Sequence, residues 1–230
     1  PEDPASAKLG ESFWRFLPRT VIGGLVSAWK LENKRLARKQ LPIWHWSNEN
    51  LQGWAGSLLL LLIAIAAGGW AVGLWFIAQA LHGASLLEVV NYVEHYGLKR
   101  QKLENGRYEK CSPEHSWNSN TVYSNITLFQ LQRHSDHHAN PTRPYQILRH
   151  FDNAPQLPSG YSAMISLAYI PPLWFRHMDK RVLAHYGGDR SLANEYSKGE
   201  KLPLPNRESL VAATQRCIQQ LRQQLQGMFH

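Results

Sequence analysis

A chain of 230 residues, of which 43% are hydrophobic, is long enough to bury a sizeable core in one domain or two. Its two cysteines, Cys111 and Cys217, are too few for a disulfide framework or a four-cysteine iron site. The net charge is +8, but we find no nucleic-acid motif, and the positive charges flank apolar segments. Membrane lipids and an acidic protein are therefore the expected partners, and nucleic acid is not.

Residues 1–49 are interpreted as a loop followed by a basic amphipathic helix. Apolar residues recur at helical spacing from Phe13 to about Gln40, and the last third of this stretch is basic. Pro18 and the pair Gly23-Gly24 disfavour a straight spanning helix. We therefore predict a helix at the membrane surface with its basic end on the cytoplasmic side. An ordinary helix packed on a soluble domain is the alternative.

Residues 50–97 are predicted to form a transmembrane hairpin. No Asp, Glu, Lys or Arg occurs from Asn50 through Leu87. One helix of this length would be about 57 Å long, well beyond the roughly 30 Å hydrocarbon core. Gly68-Gly69 offers a break. Because basic clusters lie both before and after the apolar run, both ends are expected on the cytoplasmic side, which requires two spans.

The second predicted span continues into the motif NYVEHYG at residues 91–97. Asn91 and His95 lie one turn apart on one helix face, and Gly97 can end the helix. An ionisable pair, Glu94-His95, at the end of an apolar helix is costly unless it is used. We interpret His95 as a metal ligand, Glu94 as a ligand or a supporting residue, and Asn91 as a supporting residue.

Residues 98–188 are predicted to form a cytoplasmic region that carries a metal site. The stretch LQRHSDHHANP at 131–141 places His134, His137 and His138 within five residues. On an α-helix the three imidazoles fall in one sector of roughly 100°. Clustered neutral imidazoles suit iron, zinc, copper or nickel. A solvated polar helix end is the alternative. Asp136 points away from the trio, where it either orients a ligand ring or faces water.

The segments around this cluster are assigned from the glycine, proline and helix-capping residues that interrupt or bound them. Residues 98–118 are predicted to be a loop or short hairpin, in which Cys111 and His115 make only a weak zinc pattern. His115 is better explained as a hydrogen-bonding partner near the site. One helix is predicted to start near Ser119 or Asn120 and to carry the histidine trio as far as Asn140-Pro141. The apolar stretch Tyr161–Phe175, interrupted by Pro171-Pro172, is predicted to be a re-entrant or buried helix.

The last region, residues 189–230, is polar. Within it, residues 206–228 place apolar side chains at alternating four- and three-residue spacing, with Arg and Gln around them. This pattern predicts an amphipathic tail helix that packs on a partner or on the body of the protein. The fold class expected for the whole chain is all-α: an integral-membrane helical bundle with a cytoplasmic helical and loop region that carries a histidine-rich metal site.

The combination of NYVEHYG, LQRHSDHHANP and HYGGD at 185–189 resembles the integral-membrane alkane 1-monooxygenase family over about four fifths of the chain. The resemblance implies a histidine-ligated centre of two iron ions. It further implies O2-dependent hydroxylation of the terminal carbon of medium-chain n-alkanes, with electrons from rubredoxin and its reductase. It implies a multi-pass protein of the bacterial inner membrane with its metal site on the cytoplasmic side. Carried over by position, the implied iron ligands are His95, His134, His137 and His138.

The chain departs from the family pattern in one respect. The two upstream histidine boxes of the family are absent, and PEDPAS at residues 1–6 resembles the segment that closely follows the second box. We therefore expect this chain to be a C-terminal portion, with the remaining iron ligands supplied by the upstream boxes. By itself it is not expected to hold a stable di-iron centre.

Apolar residues of the predicted spans are candidates for a substrate channel: Trp70, Leu74, Trp75 and Ile77. For each of them, simple lipid or helix packing is the alternative. Three other functions stay open for the chain. These are a histidine-box fatty-acyl desaturase or lipid hydroxylase, a membrane zinc hydrolase, and a non-catalytic membrane or electron-carrier docking module that uses Lys99, Arg100 and Lys102.

Overall fold

The computed structural model describes residues 3–197 together with Gln215 and Gln219, and its regular elements are helices. The six α-helices are α1 Phe13–Arg38, α2 Glu49–His95, α3 Val122–Thr127, α4 His134–Ala139, α5 Tyr161–Ala168 and α6 Pro171–His185. Three short 3-10 helices cover Pro113–His115, Tyr145–Ile147 and Arg190–Leu192. The predicted all-α class is confirmed. The predicted tail helix at 206–228 lies outside the described residues apart from Gln215 and Gln219.

The described chain forms two compact units, one of residues 3–20 and 82–197 and the other of residues 21–81. The first unit has an aromatic core. Its fully buried rings come from the start of α1, the end of α2, α5 and α6: Phe13, Phe16, Tyr92, Tyr96, Tyr161 and Trp174. The ring centroids of Tyr92 and Trp174 lie 5.0 Å apart, and those of Phe13 and Tyr92 lie 5.8 Å apart. Edge-to-face and tilted contacts of this kind stabilise a core beyond the area that they bury.

The apolar stretch predicted as one helix at Tyr161–Phe175 forms two helices. Pro171 and Pro172 occupy the first turn of α6, where a missing N–H costs no helical hydrogen bond. α5 buries Tyr161, Met164 and Ala168, and α6 buries Trp174, Met178 and Val182 at four-residue spacing. Each helix therefore buries one face and leaves the other exposed, and α6 continues to His185.

The segment before α1, predicted as a loop, is a loop that is tied into the first unit. The N–H of Leu9 donates to the carbonyl of Asn194 at 2.6 Å. The N–H of Gly97 donates to the carbonyl of Ala7 at 3.0 Å, and the N–H of Asn194 donates to the carbonyl of Gly97 at 2.9 Å. Buried Glu11 accepts two hydrogen bonds from the Arg19 guanidinium, at 2.7 and 2.8 Å. The segment before α1 and the segment around Asn194 are therefore both fixed at the end of α2.

Tryptophan rings hold the second unit together where α1 ends and α2 begins. The Trp29 and Trp54 rings stack with centroids 5.6 Å apart and planes 3° from parallel. Trp44, from the connecting loop, packs against Trp29 at 5.8 Å. The loop is therefore ordered against both helices.

Among the described residues, α2 is the one helix long and apolar enough to cross a membrane. Its most apolar window has a mean hydropathy of 2.2 and is only 6% buried. At Gly69 the backbone takes φ 73° and ψ −173°, a conformation essentially confined to glycine. In an unbroken helix, Ile65 and Gly73 would lie about 12 Å apart along the axis. Here a Cβ built on Gly73 would lie only 2.4 Å from Cγ1 of Ile65. The two arms therefore fold back at Gly69, within the predicted break. That both arms span a membrane stays a prediction.

The prediction of one helix from Ser119 or Asn120 to the histidine trio is wrong. α3 and α4 are separate, and between them Phe129 and Gln130 take left-handed φ values of 51° and 60°. The turn is held by the buried side chain of Gln132, whose Nε2 donates to the carbonyl of Thr121 at 2.9 Å. α4 is therefore an independent short helix that begins at His134.

Gly97 is expected to be more sensitive to substitution than an ordinary glycine. Its φ of +73° is left-handed, and a Cβ there would lie 2.8 and 2.9 Å from the two Cγ atoms of Val182. Gly97→Ala should lower the free energy of unfolding by about 1–2 kcal/mol for the conformation, plus about 1–3 kcal/mol for the overpacking. Gly106→Ala is the matched control, because Gly106 has φ +76° and open space around it. Thermal unfolding in detergent checks this, and equal losses in the two variants would contradict it.

Candidate metal centre

His95 lies in the last turn of α2, and Trp117 covers that helix end. The backbone N–H of Trp117 donates to the carbonyl of Glu94 at 2.8 Å, and its indole Nε1 donates to the carbonyl of Tyr96 at 2.9 Å. These bonds satisfy two carbonyls that the end of a helix leaves without a helical partner. The His95 ring is thereby held on a rigid support.

The start of α4 is fixed by a second set of hydrogen bonds. The side-chain oxygen of Asn118 accepts from the backbone N–H of Ser135 at 3.0 Å. The Ser135 hydroxyl donates to the carbonyl of Pro113 at 2.8 Å. Asn118, Ser135 and the helix at Pro113–His115 therefore set the position of His134 relative to His95.

Three histidines from α2 and α4 converge. Nε2 of His134 lies 3.3 Å from Nε2 of His95 and 2.7 Å from Nε2 of His138. A set of ligand atoms, one from each of His95, His134 and His138, lies entirely within 4.8 Å of one another. His134 and His138 are one helical turn apart, so both rings project from the same side of α4.

This arrangement fits a metal ion. Two nitrogens bound to one ion at about 2.1 Å are separated by about 3.0–3.4 Å, which is close to the spacing observed here. Three imidazoles without a thiolate suit iron, zinc, copper or nickel. A metal ion would also give the crowded Nε2 lone pairs a common partner. The three side chains therefore form part of a candidate metal centre.

The electrostatics keep these imidazoles neutral. Burial, followed by the charges of His95, His138 and His137, lowers the pKa of His134 to about 2. Burial and then the charge of His137 lower the pKa of His138. Because neutral imidazole is the form that binds a metal, protons do not compete for these two rings near neutral pH.

His137 lies at the margin of the cluster. Its ring centroid is 5.9 Å from those of His134 and His138, and its side chain is exposed. The predicted trio is therefore split: the structure brings His134 and His138 together with His95, and His137 faces outward beside them. Its role as a ligand stays a prediction.

Glu94 is a buried carboxylate beside the cluster. Its Oε2 lies 3.2 Å from Nε2 of His134, and its Oε1 accepts a hydrogen bond from the Tyr161 hydroxyl at 3.0 Å. Glu94 and Tyr161 are both almost completely buried. Burial and then the Glu94 charge raise the pKa of the Tyr161 phenol well above its usual value, so this hydroxyl remains a donor. The sequence analysis missed Tyr161, because no local pattern links the start of α5 to a residue 67 positions earlier.

Asp136 is fully buried and does not face water. It accepts hydrogen bonds from Asn140 and Arg143 at 2.8 and 2.7 Å, and from the backbone N–H and the guanidinium of Arg149 at 2.8 and 3.2 Å. Burial alone would raise the pKa of Asp136, but these donors outweigh it and hold the pKa at about 2. The carboxylate therefore ties α4 to the loop that follows it.

The remaining predicted supporting residues have different neighbours. The His115 ring accepts from the backbone N–H of Ser112 at 2.9 Å and pairs with Glu109 at 2.9 Å. The role of His115 as a partner of the metal site stays a prediction. Asn91 donates to Glu88 at 3.3 Å rather than to a histidine.

The proposed channel residues belong to the second unit. Trp70, Leu74, Trp75 and Ile77 are all exposed on the arm that follows Gly69. Exposure of large apolar side chains on an uncharged helix is typical of contact with lipid or with an apolar partner. Their role in a substrate channel stays a prediction.

Comparison with known proteins agrees with this site. The family model for fatty acid desaturases matches residues 1–168. The chain is 56% identical to an alkane 1-monooxygenase of Acinetobacter baylyi, over 86% of the chain and 48% of that protein. It is 52% and 51% identical to alkane 1-monooxygenases 2 and 1 of Pseudomonas aeruginosa, in each case over 82% of the chain and 50% of the relative. The chain thus spans about half the length of these relatives.

A helical chain with a long apolar helix and a partly buried histidine cluster defines a class of membrane-associated proteins with a histidine-lined metal site. Within that class, the chain belongs to the fatty acid desaturase family, because the family model covers more than half of its length. The resemblance to alkane 1-monooxygenases is confirmed.

Removing the Tyr161 hydroxyl is expected to destabilise the protein. Tyr161→Phe leaves a buried Glu94 oxygen without its donor, which should cost about 1–3 kcal/mol of unfolding free energy. Tyr123→Phe is the control, since Tyr123 is 71% exposed. Chemical unfolding in detergent measures both variants. Indistinguishable midpoints for the wild type and Tyr161→Phe would contradict a stabilising Tyr161–Glu94 bond.

The Asp136 network predicts a specific pH dependence. Because the folded pKa of about 2 lies below the usual 3.8, the stabilisation is fully present above about pH 4 and is lost as the pH falls through about 2. Asp136→Asn should lower the unfolding free energy by about 1–3 kcal/mol at neutral pH. This gap between the wild type and the variant should close on acidification. Asp152→Asn, at a fully exposed carboxylate, should have no measurable effect. A gap that persists unchanged to pH of about 2 would rule out the carboxylate charge as its source.

Proposed function

We propose that the full-length protein catalyses O2-dependent terminal hydroxylation of medium-chain n-alkanes to 1-alkanols at a histidine-ligated di-iron centre. The observation that carries this proposal is the convergence of His95, His134 and His138, one ligand atom of each lying within 4.8 Å of the other two. The alkane 1-monooxygenases to which the chain is similar support the choice of reaction. Bound iron would supply the activation of O2.

In this proposal the described residues hold part of the ligand set. His95, His134 and His138 bind metal through neutral Nε2 atoms, and Glu94 lies close enough to join them or to accept a hydrogen bond. Three imidazoles are too few for two ions, so the upstream histidine boxes of the full-length protein would supply the remaining ligands, with His137 as a further candidate. Tyr161 fixes the orientation of Glu94 by its hydrogen bond.

An alkane offers no polar group and no acidic proton, so no general acid or base needs to touch it. Recognition must come from apolar burial and from the position of the terminal methyl group. The apolar helix α2 supplies suitable side chains, among them Trp70, Leu74, Trp75 and Ile77. We place the protein in the bacterial inner membrane, with both arms of α2 as spans and the metal centre on the cytoplasmic side.

Rubredoxin is the proposed electron donor, supplied in turn by rubredoxin reductase. The proposed docking surface comprises Lys99, Arg100 and Lys102, which lie directly after the NYVEHYG motif at the start of the predicted loop 98–118. Arg100 and Lys102 are exposed, whereas the Lys99 ammonium donates to the carbonyl of Ser191 at 2.8 Å. Arg100 and Lys102 are therefore the cations best placed to meet an acidic carrier.

The family name makes a fatty-acyl desaturase or lipid hydroxylase the main competing function. Product analysis with an alkane and with an acyl substrate separates these enzymes. A zinc hydrolase would contain zinc and need no reductant. A docking module would bind the carrier and form no product.

The decisive experiment measures metal content and rubredoxin-dependent octane hydroxylation in the full-length protein. The wild type should contain about two irons per chain and form 1-octanol. His134→Ala and His138→Ala should lose iron and lower octanol formation by at least about 100-fold, because each removes a ligand from the cluster. His150→Ala is the control, since the partly exposed His150 ring pairs with Asp152 at 3.3 Å.

His137→Ala tests the outward-facing histidine separately. Loss of iron and of octanol would place His137 in the ligand set, and full retention would remove it. Zinc in place of iron, or octanol formation unaffected by His134→Ala, would contradict the proposed function.

A further inference from the structure

The second half of α1 carries a cationic stripe, formed by Lys30, Lys34 and Arg38. The three residues are spaced by four positions, so they lie one above another on one helix face over about 12 Å. All three are exposed. The stripe therefore presents one positive charge per helical turn to the surroundings.

The second unit does not neutralise this stripe. Residues 21–81 contain only two carboxylates, Glu32 and Glu49. Arg35 engages both, at 2.6 Å from Glu32 and 3.4 Å from Glu49. Within the described part of the chain, the side chains of the stripe make no ion pair or hydrogen bond. No carboxylate of the described residues therefore neutralises these charges.

The stripe is rigidly connected to the start of the apolar helix. The Arg35 guanidinium donates to the carbonyl of Ser47 at 2.6 Å, and Glu32 accepts from the backbone N–H of Glu49 at 2.8 Å. The Asn50 amide donates to the carbonyl of Ala28 at 3.3 Å. α1 and the beginning of α2 are thus fixed to each other, so the cations hold a constant position beside the uncharged helix.

Exposed tryptophans surround the same junction. Trp44 and Trp54 are about half exposed and Trp46 is 78% exposed. Tryptophan is enriched where hydrocarbon meets lipid headgroups, and cations beside that boundary attract anionic lipids. An apolar helix, a group of exposed tryptophans and a cationic stripe with no ion-pair partner among the described residues therefore occur together in one compact unit.

We propose that Lys30, Lys34 and Arg38 form a binding site for the headgroups of anionic phospholipids. The phosphodiester supplies the negative charge, the exposed arms of α2 contact the acyl chains, and the tryptophans lie at the boundary between them. A soluble polyanion would match the charges but would make no contact with the adjoining apolar surface. This inference concerns lipid binding and is independent of the reaction proposed above.

The test uses the full-length protein in mixed detergent micelles with fluorescent phosphatidylglycerol or phosphatidylcholine, read out by energy transfer from tryptophan. The wild type should bind phosphatidylglycerol in preference to phosphatidylcholine, and salt should weaken that preference. The triple variant Lys30→Gln, Lys34→Gln, Arg38→Gln should lower the preference about tenfold or more. The charge-conserving variant Lys30→Arg, Lys34→Arg, Arg38→Lys should retain it.

The matched control is Lys102→Gln, Arg107→Gln, Lys110→Gln, which removes the same number of exposed charges from the first unit. This control should keep the preference. An unchanged preference in the stripe variant, or an equal loss in the control, would overturn the proposal. Complete competition by inorganic phosphate at the lipid concentration would also overturn it, because the site would then bind free phosphate. The readout does not involve octanol, so failure here leaves the proposed reaction untouched.

Discussion

The histidine cluster depends on the hydrogen bonds that close the end of α2. An apolar helix that ends inside a protein leaves carbonyl groups without helical partners, and each must be satisfied where water is excluded. Here Trp117 caps two of these carbonyls, and the left-handed Gly97 exchanges backbone hydrogen bonds with Ala7 and Asn194. His95 precedes this closure by two residues. The same bonds that end the helix therefore fix the first of the three histidines.

Two side chains that lie two residues apart on α4 are favoured in opposite charge states: His134 is favoured neutral and Asp136 is favoured charged. His134 is partly buried among other imidazoles, so its neutral form is favoured, which is the form that binds a metal. Asp136 is buried among the guanidinium groups of Arg143 and Arg149, so its charged form is favoured. The short helix thus presents uncharged ligands on one side and is held to the following loop by a charge on the other.

The metal-site residues and the long stretch of exposed apolar side chains lie in different units. The first unit contains the three clustered histidines, the buried carboxyl groups of Glu94 and Asp136, and the aromatic core. The second contains the uncharged arms of α2 and a set of cations at the junction with α1. Such a division would suit the proposed reaction, because an alkane is attracted only to apolar surface, whereas metal ions are bound by polar side chains such as imidazoles.

The sequence by itself determined the helical class, the apolar helix and its glycine break, the residue types of the metal site, and the family. These properties depend on local composition and spacing, which are read directly along the chain. The tertiary structure decided which histidines converge, that the trio begins a separate helix, and that Tyr161 supports Glu94. It also showed Asp136 to be buried by arginines that follow it. These features depend on contacts between distant segments and on side-chain hydrogen bonds in a turn, such as that of Gln132, which no hydrophobic period records.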